Sequence, residues 1–241
     1  MHSLAHIALA QVQLQWDRPL SGPPSTRTRQ LRGALANTFP NEDLFHQHDP
    51  ATGRVLYRYP HLQYRWHHGH GLIIGWSSAA QRLLGLPWLD YTLTLGDDQV
   101  TITDAALTLR QTQFAVSDRL LHYQTSSPIL LFNQENYRHY QTLDAPAQAL
   151  EQDRLLVAAL LSAFRGLDIN CTQRLYASFT HTQTRPSTYK SERLLGIQGR
   201  IVTNLLIPDG FAFGRAVSHG FGVVHSYQPK NTEHHKKDAQ I

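Results

Sequence analysis

Residues 62–95, LQYRWHHGHGLIIGWSSAAQRLLGLPWLDYTLTL, decide the fold of this chain. LQYRW and LIIGW are rich in Leu, Ile, Tyr and Trp and flank a glycine-histidine turn, which predicts an antiparallel pair of strands. SSAAQRLLGLP offers Ser77 or Ser78 as a helix cap and closes on Gly85 and Pro87, the pattern of a short helix. YTLTL then alternates as a strand. The stretch therefore reads strand, strand, helix, strand.

Upstream, Pro60 interrupts a further extended run, RVLYRYP, before LQYRW. Ahead of it the run SGPPSTRTRQLRGALANTF has a Pro-Pro turn, Ser25 or Thr26 as a cap, and Leu31, Ala34 and Leu35 at helical spacing, predicting a basic helix that ends near Asn37. Ile7, Leu9, Val12 and Leu14 predict a half-buried strand before that helix. The whole order is β, α, β, β, α, β, the ferredoxin-like split arrangement. Downstream, residues 100–142 read as mostly extended, with Pro128 breaking the second run. The strongest helix follows Asp144-Ala145-Pro146, with Leu150, Val157, Leu160, Leu161 and Phe164 at threes and fours, and closes at Gly166. Strands at RLYASFT and IQGRIVTNLLIP, the glycine-rich GFAFGRAVSHGFG and a last strand VVHSY complete a second unit of the same order, its final connection shortened to a loop. The expected fold class is α+β, with tandem ferredoxin-like (RRM-like) domains. Residues 1–110 form the first, 111–229 the second with the glycine-rich loop, and 230–241 a flexible polar tail.

The composition of 241 residues, 41% hydrophobic and 17% charged, is that of a globular chain. Folding should bury roughly 70–75% of the unfolded surface, enough for a core without staples. Cys171 is the single cysteine, so no intrachain disulfide forms, and the absence of an 18-residue apolar run and of a signal peptide points to a cytoplasmic protein with no membrane partner. Charge is unevenly placed. Four arginines and no acid lie between Arg18 and Asn41, four more and no acid between Arg54 and Leu89, and five aspartates against one arginine between Asp90 and Asp118. Arginine grips phosphates bidentately and stacks on bases, so the clusters point to a polyanionic partner.

Two motifs bear on chemistry. His46 and His48 form an HxH pair in a loop, and in extended chain such side chains point the same way with Cα atoms roughly 6.5 Å apart. Two imidazoles so placed flank one phosphate, and a pKa near neutrality lets one act as base and the other as acid. A bland alternative is that Leu44 and Phe45 anchor the loop and the histidines decorate it. Gly210, Gly214, Gly220 and Gly222 do not form a phosphate-binding P-loop, which needs GxxxxGK followed by Ser or Thr; they read as turns or as a close backbone approach, with Arg215 and His219 among them placed for phosphates. The HHGH run of His67, His68 and His70 falls where a hairpin turn is wanted and lacks a carboxylate or cysteine at ligand spacing. No metal or cofactor is expected.

Taken together, LRGAL, then HQH, then YRYPHLQY, then LIIG resemble the HxH branch of CRISPR repeat-processing endoribonucleases, and NLLIPDGFAFGRAVSHGFGVV resembles the glycine-rich loop and final strand of their RAMP superfamily. The resemblance covers residues 7–95 and 194–227. It implies a metal-independent endoribonuclease that cuts repeat RNA in a CRISPR precursor transcript into guide RNAs by 2′-hydroxyl attack, leaving 2′,3′-cyclic phosphate and 5′-hydroxyl ends. His46 and His48 would be its base and acid, in either assignment. No family lysine is placed in the active-site region, so Arg54 or Arg58 is the nearest cation to steady the transition state, with Tyr57 or Tyr59 orienting a phosphate or a base. RNA would be held by Arg27, Arg29 and Arg32 on the first helix and by Arg215, His219, Gly214, Gly220 and Gly222 in the loop. The expected partners are the precursor RNA, the processed guide RNA and a CRISPR effector complex. A rival reading is a noncatalytic RAMP subunit that only holds guide RNA; a generic RNA-binding module and a histidine-metal enzyme are the others.

Overall fold

In the computed structural model, residues 1–46, 59–189 and 192–228 are described. His48, Arg54, Tyr57, Arg58, most of RVLYRYP and the tail lie outside them. Strand β1 (His2–Trp16) leads into helix α1 (Pro24–Thr38), then β2 (Leu62–His67), β3 (His70–Trp76), α2 (Ser78–Leu84) and β4 (Thr92–Leu95). A 28-residue strand, β5 (Asp98–Thr125), joins this half to α3 (Gln134–Thr142), α4 (Ala145–Gly166), β6 (Ala177–Tyr189), β7 (Glu192–Leu206) and β8 (Val224–Ser226).

The strands form one antiparallel sheet in the order β2-β3-β1-β5-β7-β6, with β4 and β8 each paired to β5. The first half has the ferredoxin-like order, except that β5 itself takes the fourth-strand place beside β1, from Trp16 opposite Ile102 to His2 opposite Val116. β4 is reduced to a hairpin partner of residues 98–101. The second half repeats the order: β5 lies between β7 and β8, and β6 flanks β7. The molecule is α+β with two ferredoxin-like halves. No loop separates them, because β5 crosses residue 110 as strand, takes up β7 from Ala115 while still paired with β1, and leaves β1 after Val116, where the register with β7 shifts before Leu121.

β1 shows why both faces of the sheet are covered. Ala10, Val12 and Leu14 point to a core with Leu31 and Leu35 of α1 and Leu83 of α2. Ile7 and Leu9 point the other way, to Trp76, Phe114, Leu160 and Phe164 of α4, and Phe211 and Phe213 of the glycine-rich segment. Each fully buried Leu, Val or Phe among these contributes about 1.5–3 kcal/mol. The HHGH run is the β2–β3 turn: His67 pairs with His70, His68 and Gly69 take φ of 48° and 82°, and Trp16 Nε1 donates to the Gly69 carbonyl at 3.0 Å.

Four local expectations are corrected. α1 begins at Pro24 with Pro23 as its cap, not at Ser25 or Thr26, because a proline without an N–H suits the first turn. Ser77 caps α2 by position only, at φ 55° and with no side-chain bond. Residues 134–142, expected extended, form α3, started by the Asn133 side chain accepting from Asn136 N at 2.7 Å. β6 and β7 run on as a hairpin well beyond RLYASFT and IQGRIVTNLLIP, out to Tyr189 opposite Glu192.

Candidate nucleic-acid interface and active site

The three arginines of α1 have different surroundings. Arg27 is buried: its guanidinium donates to the Ser21 carbonyl at 2.6 Å, to Leu95 O at 3.1 Å and to Asp98 Oδ2 at 2.7 Å. It ties the helix to the turn that starts β5. Arg29 is exposed, and Arg32, three residues on and so on the same face, is half-buried with Nη1 3.0 Å from His219 Nε2. Arginine has no acceptor, so His219 Nε2 must accept; the ring proton then sits on Nδ1, 3.1 Å from the Ser218 hydroxyl. α1 and the glycine-rich segment are thus joined through the His219 ring.

That segment is seated on the first half by its backbone. Gly222, at φ 76°, lies so close to Phe213 that a β-carbon there would be 2.0 Å from the Phe213 carbonyl oxygen. Only glycine allows this approach. Gly220 lies over the Tyr64 carbonyl and Thr28, while Gly214 and Arg215 turn to the Leu130 carbonyl, with Arg215 Nη1 donating to Phe132 O at 3.2 Å. His219 and Arg215 therefore belong to different neighbourhoods of one loop. Tyr59 holds the segment's front: its hydroxyl donates to Ala212 O at 2.6 Å and accepts from Gln63 Nε2 at 2.9 Å, and burial pushes the phenol well above the usual tyrosine range. Beside it Arg65 donates to Gly210 O at 2.5 Å, and burial drags its guanidinium down to about 10.

His46 closes a one-turn 3₁₀ segment, Asp43–Phe45, its N–H bonded to Asp43 O at 3.0 Å. Phe45, 3% exposed, stacks on Phe39 at 5.2 Å and anchors the turn to the end of α1. Arg82 grips the turn from outside through Glu42, at 2.8 Å, and Asp43, and holds the Asp43 carboxyl below its usual range. The His46 ring is half-buried, and its Nε2 has no hydrogen-bond partner among the described residues. From Arg32 to the end of α1 at Thr38 is roughly 9 Å of helix axis, and Phe39 just beyond that end is the residue on which the His46 turn is anchored.

Sequence reasoning missed one feature. Ser25, Thr26 and Arg29 of α1 line a cavity of about 260 Å3 with Thr188 and Tyr189 from the β6–β7 hairpin and with His219 and Phe221. Thr188 and Tyr189 read as connection between two shorter strands, so nothing local flagged them.

Family models for the Cas6b N-terminal domain and the Cas6b C-terminal domain match residues 5–113 and 115–227. The chain belongs to the Cas6b family. The two Cas6b models meet inside β5, next to the change of partner strand. An uncharacterized protein of Methanocaldococcus jannaschii is 30% identical over 112 residues, 46% of this chain and 76% of that protein. Among solved structures, a crystal structure of Cas6b has a TM-score of 0.80 at 23% identity over 92% of this chain and 100% of its own. Another, of CRISPR RNA processing endoribonuclease Cas6b, has a TM-score of 0.70 at 21% identity with the same coverage. Both share the fold described above. No helix among the described residues is long and apolar enough to cross a membrane.

Proposed function

We propose that this Cas6b-family chain is a metal-independent endoribonuclease that cuts CRISPR repeat RNA within its precursor transcript, in the cytoplasm, and passes the guide RNA to an effector complex. The observation that carries this reading is the Arg32–His219 contact, which joins the basic face of α1 to the glycine-rich segment on the same helix that seats His46. A solved Cas6b bears the name of a CRISPR RNA processing endoribonuclease, which supports the substrate class.

His46 takes the proton of the upstream 2′-hydroxyl as that oxygen attacks the phosphorus in line. The bond from phosphorus to the 5′-oxygen breaks, and His48 delivers a proton to the leaving oxygen; the two roles are interchangeable. The products are a 2′,3′-cyclic phosphate and a 5′-hydroxyl. Two imidazoles thus account for both proton transfers without a metal. Arg54 or Arg58 steadies the charge that builds on the phosphorane, and Tyr57 orients the phosphate. Arg29, Arg32, Arg215 and His219 hold the strand; Gly214, Gly220 and Gly222 let the loop backbone come close enough to share in that contact. Arg27 and Tyr59 act by positioning, given the bonds that occupy them. Units 1–110 and 111–229 divide the work, with the tail 230–241 as a flexible appendage.

The test is incubation of the purified protein with end-labelled host repeat RNA in excess EDTA, with and without a 2′-deoxy nucleotide at the cut site. Cleavage that persists in EDTA, ends in a cyclic phosphate and vanishes in the deoxy substrate is expected. Tight binding with no cleavage would transfer the chain to the scaffold reading, and loss of cleavage in EDTA to a metal enzyme.

A further inference from the structure

The cavity between α1 and the β6–β7 hairpin combines three kinds of surface. Tyr189 supplies an aromatic ring; it meets the His219 ring edge-on, with centroids 4.9 Å apart and planes at 78°. Thr26 and Thr188 supply hydroxyls that donate or accept, and Phe221 an apolar wall. Arg29 stands at the cavity as an exposed cation that makes no ion pair among the described residues, on a stretch with no acid from Arg18 to Asn41. The His219 wall is held in place by Arg32 at 3.0 Å and Ser218 at 3.1 Å. At about 260 Å3 the space falls below the roughly 300–1,000 Å3 of sites for drug-sized ligands, so it suits one small planar group and not a folded stem.

We propose that this cavity is a single-nucleobase pocket, in which Tyr189 stacks on one unpaired base of the RNA, Thr26 and Thr188 read its edge, and Arg29 takes the adjoining phosphate. The proposal rests on the RNA-processing reading above and adds to it a point of sequence recognition supplied by the second half of the chain. The base must be unpaired, because a base pair exceeds the space and hides the edge that the hydroxyls would read. Stacking on an aromatic ring is tolerant of base identity, so discrimination falls to the threonines. Since Tyr189 comes from the hairpin and Arg29 from α1, the bound base bridges the two halves.

The test uses repeat RNA made noncleavable by a 2′-deoxy nucleotide at the cut site and carrying 2-aminopurine at one position at a time. Fluorescence is read on titration with wild type, Tyr189→Ala and Tyr189→Phe. The expected result is strong quenching at one unpaired position, retained in Tyr189→Phe and lost in Tyr189→Ala, with affinity for that RNA falling about 5- to 100-fold in the alanine variant. The same quenching pattern in Tyr189→Ala, or equal quenching at every position in wild type, would overturn the pocket. Cleavage of unmodified repeat by wild type is scored separately: quenching without cleavage keeps the pocket and removes the nuclease reading, and cleavage without position-specific quenching does the reverse.

Discussion

The two halves repeat one order of elements, yet they fill the second-helix place differently. In the first half α2 occupies it as a packing element, with Ala79, Ala80 and Leu83 buried against the sheet and Gly85 ending it in an ordinary right-handed conformation, φ −86°. In the second half the same place holds residues 208–223, with one 3₁₀ turn at Val217–His219. Phe211 and Phe213 replace the helix's apolar face, and His219 and Gly220 cross to α1 and β2 of the other half while Gly214 and Arg215 stay against Leu130 and Phe132. Removing a helix from a repeated scaffold frees backbone and side chains to face a ligand, because a loop anchored by two aromatic residues needs no regular hydrogen-bonded turns to stay in place. Two of the proposed RNA contacts, Arg215 and His219, lie on the segment that has no helix, and two, Arg29 and Arg32, on α1.

If the first half supplies the chemistry and the two halves share the grip, the largest effect should come from the histidines. His46→Ala or His48→Ala should slow cleavage on the order of 10²–10⁴-fold while RNA affinity by filter binding stays near wild type. An unchanged rate in both would break the division of labour. Next, two glycines, one in each half, should respond unequally. Gly222→Ala places a β-carbon 2.0 Å from Phe213 O at positive φ, which should cost at least about 1–3 kcal/mol and lower Tm by roughly 3–10 °C. Gly85→Ala meets nothing nearer than Arg82 O at 3.7 Å and should leave Tm within roughly a degree or two. Equal shifts would mean that the loop is no more constrained than the helix end.

Two arginines on one helix sharpen the comparison further. Arg27→Ala breaks the bonds to Asp98, Ser21 and Leu95 and should lower stability by about 1–3 kcal/mol in thermal or urea unfolding. Arg29→Ala should leave Tm unchanged and show itself only in RNA binding, where the slope of log affinity against log salt becomes shallower by about 0.7 if one single-strand phosphate contact is lost. A Tm loss in Arg29→Ala equal to that in Arg27→Ala would contradict the placement of the two side chains.

The hairpin at 62–76, α2, β4 and α4 were legible in the sequence because each carries its own period, caps and turn residues. α3 was not. QENYRHYQT buries only Tyr140, too little to make a periodic stripe, and the helix depends on the Asn133 cap and on Tyr140 packing against Phe132 at 4.6 Å. The extent of β5 was hidden for another reason: nothing local tells one long strand that it will pair with β1 over its first part and with β7 and β8 over its last.

Of the candidate site, the residue types were readable and their company was not. The HxH pair, the acid-free basic stretch and the glycine-rich segment are properties of composition and spacing, and these the chain states on its own. Which arginine of α1 faces Asp98 and which faces outward, that the loop histidine His219 meets the helix, and that a hairpin tyrosine lines a cavity with Arg29 were decided by tertiary structure. The physical reason is range: caps, turns and periodic faces are set by neighbours a few residues apart, whereas Arg32 and His219 are separated by 187 residues and meet only when two halves pack across a shared strand.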